Sequence, residues 1–144
     1  MTTFKLDHVA VAVRDIDDAV GNFEKKLGLS CERVEEVPTQ KAKVAFFDVG
    51  GAHLELVAPT EDASSVARSI DKRGEGLHHI CLEVEDIDAA LALARMAGIR
   101  LVNEAPVPGA GGSRVAFLHP KSLNGVLVEL VEKRPGSADA HGEK

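Results

Sequence analysis

From Leu6 to Val13 the chain alternates, with Val9, Val11 and Val13 on one side and His8, Ala10 and Ala12 on the other. A two-residue period predicts a β-strand whose bulky valines face a packing partner. At Asp15 the rhythm changes, and Ile16, Ala19, Val20, Phe23 and Leu27 recur at helical spacing before Gly28. An amphipathic helix capped by Asp15 and ended by Gly28 is expected there. Further strands are expected near 31–37, 42–49 and 53–57.

The same pattern then returns. At a shift of 71 residues Leu6–Val13 falls on Leu77–Val84 and Asp15-Ile16-Asp17 on Asp86-Ile87-Asp88, with seven identities in the fourteen positions from 6 to 19. Val44-Ala45-Phe46 falls on Val115-Ala116-Phe117 at that shift, and Leu54-Glu55-Leu56-Val57 on Val128-Glu129-Leu130-Val131 at a shift of 74. Four matches in one order mark an internal duplication. Each repeat, about 6–57 and 77–131, reads as a βαβββ module within a single domain of 144 residues. In the second, a strand is expected at 77–84, a helix at 87–97 ended by Gly98, and strands near 99–104, 113–119 and 125–131. The linker 58–76 is polar, with a short helix expected from Ala63 to Lys72 and a turn at Gly74-Glu75-Gly76. A disordered tail is expected over 135–144. The fold class is therefore α+β.

Parity places four residues of unusual chemistry. His8 and His79 occupy equivalent positions on first strands, on the side away from the bulky residues. Glu55 lies between Leu54 and Leu56, and Glu129 between Val128 and Leu130. A carboxylate buried in an apolar strand is costly without a partner. Two such carboxylates and two such imidazoles, related by the repeat, are mutually explained by one cation, and the donor set suits manganese, cobalt, iron, nickel or zinc. His78 is expected on the opposite face. His53 shares the side of Glu55 and is a weaker ligand candidate, and His119 stands at a strand end.

Composition narrows the function. The net charge of −6 and the lack of Trp and Tyr leave neither a basic face nor stacking platforms, so no nucleic-acid partner is expected. No apolar run approaches a membrane span, and the N-terminus has no signal pattern. Cys31 and Cys81 lack any framework spacing and suit a reducing, cytoplasmic setting.

Paired βαβββ modules with His on each first strand and Glu on each last strand resemble the vicinal oxygen chelate superfamily. Within it the chain is similar to the methylmalonyl-CoA epimerases. The resemblance rests on Leu6-Asp7-His8-Val9-Ala10, Gly74-Glu75-Gly76-Leu77-His78-His79-Ile80, and the run from Arg114 through His119-Pro120-Lys121-Ser122 to Gly125-Val126-Leu127-Val128-Glu129-Leu130. It implies a cupped eight-stranded mixed sheet with helices outside. It also implies a homodimer, a coenzyme A thioester substrate, and one divalent ion (cobalt, manganese, nickel or zinc) on His8, Glu55, His79 and Glu129. Many members carry Gln where Glu55 stands. The resemblance further implies that Glu129 is both ligand and acid–base group.

Epimerisation of such a thioester removes the C2 proton to give an enolate and returns a proton to the other face, which calls for two acid–base groups. Some members of the family place a Glu where this chain has Val44, so the second group stays unassigned. Lys121, Lys72, Arg73 and Arg114 are candidates for the coenzyme A phosphates by location alone, and the Gly109-Ala110-Gly111-Gly112 stretch for a mobile loop over substrate. A glyoxalase-type lyase acting on a glutathione hemithioacetal could use the same four ligands. A ring-cleaving dioxygenase would need three ligands, and a drug-sequestering module of this fold would need none.

Overall fold

The structure, a computed structural model, describes residues 3–135, so nearly all of the expected tail lies outside the described residues. The chain divides into two compact units: residues 8–78, and residues 1–7 with 79–144. Eight strands and three α-helices are formed among the described residues, as an α+β chain requires.

The first unit contains β1 (Lys5–Ala12) from His8 onward, α1 (Ile16–Leu27), β2 (Cys31–Val37), β3 (Ala42–Asp48), β4 (His53–Pro59) and α2 (Ser65–Arg73). Its strands run in the order β2-β3-β4-β1, with β1 parallel to β4 and the other pairs antiparallel. Asp15 caps α1 by accepting the Asp18 N–H, and Gly28 ends it at φ 77°, where a side chain would be strained. The expected parity holds. Val11, Val13, Leu54, Leu56, Ala45 and Phe47 pack with Ile16, Ala19, Val20 and Phe23 of the helix. His8, Ala10 and Ala12 are left on the other face. The linker helix starts slightly later than expected because Ser64 is its cap, accepting the Ala67 N–H at 2.9 Å.

The second unit contains β5 (Gly76–Glu83), α3 (Ile87–Met96), β6 (Val107–Pro108), β7 (Arg114–Leu118) and β8 (Val128–Glu132), in the order β5-β8-β7-β6. Ile80, Leu82, Val84, Ala116, Leu118, Val128 and Leu130 pack with Ile87, Ala90, Leu91 and Ala94 of α3. The expected strand at 99–104 does not form. Leu101 makes one isolated bridge to Leu118, and beside it the Asn103 side chain, rather than a strand carbonyl, accepts the Phe117 N–H at 2.7 Å. Pro106 and Pro108, which lack an N–H, then confine the edge to two residues. The last strand starts at Val128 rather than 125, because Gly125 (φ 88°) donates back to the Pro120 carbonyl and Val126 to that of Leu123. The Gly-rich stretch is a closed turn: Gly109 N–H donates to Ser113 O, and the Ser113 hydroxyl to Ala110 O at 2.7 Å.

Candidate functional site

In the first unit, the parallel register of β1 and β4 sets His8 beside His53 and Ala10 beside Glu55. The small side chains of Ala10 and Ala12 leave room above the strand for the larger groups. His8 Nδ1 lies 3.0 Å from Glu55 Oε2, and both side chains are about nine-tenths buried. Phe46 on β3 stands directly opposite Glu55 and forms an apolar wall for the carboxylate. His53, the weaker ligand candidate, is engaged elsewhere: its Nε2 lies 3.0 Å from Glu32 Oε1, and its ring meets Phe46 edge-on.

The second unit repeats the arrangement. His79 Nε2 lies 2.9 Å from Glu129 Oε1, with both side chains 6% exposed. Phe117, the repeat equivalent of Phe46, stands opposite Glu129 and packs edge-on against the His79 ring at 5.3 Å. Cys81, fully buried beside Val115 and Val131, fills the strand position next to His79 on this face. His78 is also buried.

Leaving either carboxylate here without a positive partner would cost several kcal/mol. Each imidazole can meet its glutamate through a proton or through a shared cation. Separations of 3.0 Å and 2.9 Å are hydrogen-bond distances, and they are also about the 3 Å at which two donors, each about 2.1 Å from an octahedral ion, stand apart. Each unit thus offers one buried imidazole and one buried carboxylate, donor types that suit a divalent transition ion.

The proposed phosphate contacts differ in availability. Arg114 is held by Asp88 at 2.9 Å and Glu132 at 3.1 Å, and these hydrogen bonds raise its pKa above the ordinary arginine value. Its charge is already matched. Arg73 donates to Ser69 within α2, whereas Lys121 sits in the turn Pro120–Ser122, whose first residues are tied by His119 Nδ1 accepting the Lys121 N–H. Sequence reasoning missed two contacts. Lys133 Nζ lies 2.7 Å from Asp7 and 3.7 Å from Glu83. The guanidinium of Arg33 lies 3.9 Å above the Phe46 ring. Neither residue belongs to a repeated motif, so no sequence signal pointed to them.

Comparison with known proteins adds an independent line. A family model described as the Glyoxalase/Bleomycin resistance/Dioxygenase superfamily matches residues 7–117. The ethylmalonyl-CoA/methylmalonyl-CoA epimerase of Cereibacter sphaeroides is 39% identical over 128 residues, 88% of this chain and 96% of that one. The mitochondrial methylmalonyl-CoA epimerase of Homo sapiens is 38% identical over 127 residues, 88% of this chain and 72% of that one. Among solved structures, a variant of the Streptomyces coelicolor methylmalonyl-CoA epimerase in complex with 2-nitronate-propionyl-CoA superimposes with a TM-score of 0.85 at 34% identity, over 91% of this chain and 95% of that one.

Proposed function

The chain belongs to the Glyoxalase/Bleomycin resistance/Dioxygenase superfamily and, within it, to the methylmalonyl-CoA epimerases, and we propose that it interconverts the (R) and (S) forms of methylmalonyl-CoA. The observation that carries the site assignment is the pair of equivalent, buried His–Glu contacts, His8 with Glu55 and His79 with Glu129. A fold needs no such pair twice at matched strand positions. One divalent ion held by all four side chains accounts for both. When bound, such an ion supplies Lewis-acid stabilisation to charge developing on the substrate's oxygens.

The protein's own groups do the rest. The C2 proton lies between a thioester and a carboxylate, which makes it acidic enough for a carboxylate base. Glu129 takes that proton on an Oε atom and can return it. Phe117 and Phe46 keep water from the carboxylates they face, which strengthens each electrostatic contact. Lys121, Lys72 and Arg73 are the cations offered to the coenzyme A phosphates. The proposal extends to a homodimer, which the exposed apolar side chains of Leu77 and Met96 support, and to a cytoplasmic setting, which the free thiols of Cys31 and Cys81 support.

Proton exchange tests the reading. The cobalt-loaded protein in deuterated water should incorporate deuterium at C2 of methylmalonyl-CoA and invert that centre, both followed by NMR. Turnover of a methylglyoxal–glutathione hemithioacetal with no C2 exchange would replace the epimerase with the lyase.

A further inference from the structure

Inversion needs a second group to exchange a proton with C2 on the face that Glu129 does not serve. The titratable residues on the site face of the first unit can be read row by row across the strands, because residues paired across antiparallel strands share a face. One row runs Arg33–Phe46–Glu55 and the next Glu35–Val44–Val57. We propose that Glu35 is the second acid–base group, alternating with Glu129 in proton transfer at C2; the inference rests on the epimerase reading above.

Three observations carry it. The first is a β-bulge. Cys31 pairs with Phe47 and Arg33 with Phe46, so Glu32 is an extra residue on β2. Cys31 packs on the α1 side. Without the bulge Arg33 and Glu35 would share that side; with it both turn to the face of Glu55. The second is the duplication. The row equivalent to Glu35–Val44–Val57 in the second unit is Val107–Val115–Val131. Val107 packs there among apolar neighbours. An apolar side chain therefore suits the fold at this position, and the carboxylate in the first unit needs another reason. The third is orientation. Arg33, stacked on Phe46, meets Glu35 Oε1 at 3.4 Å and holds the half-buried carboxylate, 32% exposed, at the margin of the site face. The carboxylate also reaches solvent, through which its proton can be replaced.

Glu35 stands on the same face as Glu55, two strands and two residues away, about 12 Å between backbones. In the step itself, one glutamate starts ionised and the other protonated. For one enantiomer the Glu129 carboxylate takes the C2 proton, the C–H electron pair passes into the thioester carbonyl as the enolate forms, and the Glu35 carboxylic acid delivers its proton to the opposite face of C2. The two protonation states have then exchanged, and the other enantiomer runs the same sequence in reverse.

The test is Glu35→Gln, with each enantiomer of methylmalonyl-CoA incubated separately in deuterated water. Inversion should fall by about 10²-fold or more in both directions. Deuterium wash-in at C2 should persist near the wild-type rate for the enantiomer whose proton Glu129 takes, and be lost for the other. Glu35→Asp should restore part of the inversion. Wild-type inversion in Glu35→Gln, or equal loss of exchange from both enantiomers, would overturn the assignment. Absence of exchange in the wild-type protein would instead overturn the epimerase reading beneath it.

Discussion

Replacing Glu129 with glutamine should lower the rate of C2 inversion by about 10²- to 10⁴-fold, the range that general acid–base groups contribute. The substitution is nearly isosteric, which matters at a residue only 5% exposed and packed opposite Phe117. The amide oxygen can still face His79 and can still serve as a metal donor. What it cannot do is accept the C2 proton. Turnover should therefore collapse while bound ion is retained, a combination that separates loss of a base from loss of the site. Stereospecific assay of both enantiomers, alongside metal content, measures it. Inversion at the wild-type rate would remove Glu129 from proton transfer.

Replacing His79 with alanine should have the largest effect on stability. In the metal-stripped protein the substitution leaves the Glu129 carboxylate buried without its imidazole partner, 2.9 Å away in the native chain, and also removes the ring that packs against Phe117. Breaking a buried pair from one side costs about 3–5 kcal/mol. For a chain of this size that corresponds to a melting temperature lower by roughly 10 °C. Because glutamine at position 129 carries no charge, Glu129→Gln in the His79→Ala background should recover part of the loss. A melting temperature within a degree or two of the wild type would show that the carboxylate does not depend on His79.

Much of this arrangement was legible in the sequence because two periodicities agree. Strand parity put Val9, Val11 and Val13 on one face and His8 on the other, and duplication required the same of Ile80, Leu82, Val84 and His79. Packing against α1 and α3 follows that division. Which Glu each His meets was not legible: it depends on β1 and β4, and β5 and β8, being parallel neighbours.

What was not legible depends on pairing rather than pattern. Residues 99–104 alternate well enough to read as a strand, but Asn103 uses its side chain where a strand would use its backbone. The bulge at Glu32 is invisible without the register of β3, and it alone decides which face Arg33 and Glu35 present. The contact of His53 with Glu32 and that of Lys133 with Asp7 join residues distant in sequence, and no periodicity marks either.

The proposed function depends on His8, Glu55, His79 and Glu129 holding a single divalent ion. Calorimetric titration of the chelator-stripped chain with cobalt(II) tests it most directly. Tight binding at one ion per chain is expected, weakened by alanine at His8 and at His79 alike. Two equivalent ions per chain, one for each His–Glu pair, or no tight binding at all, would contradict it.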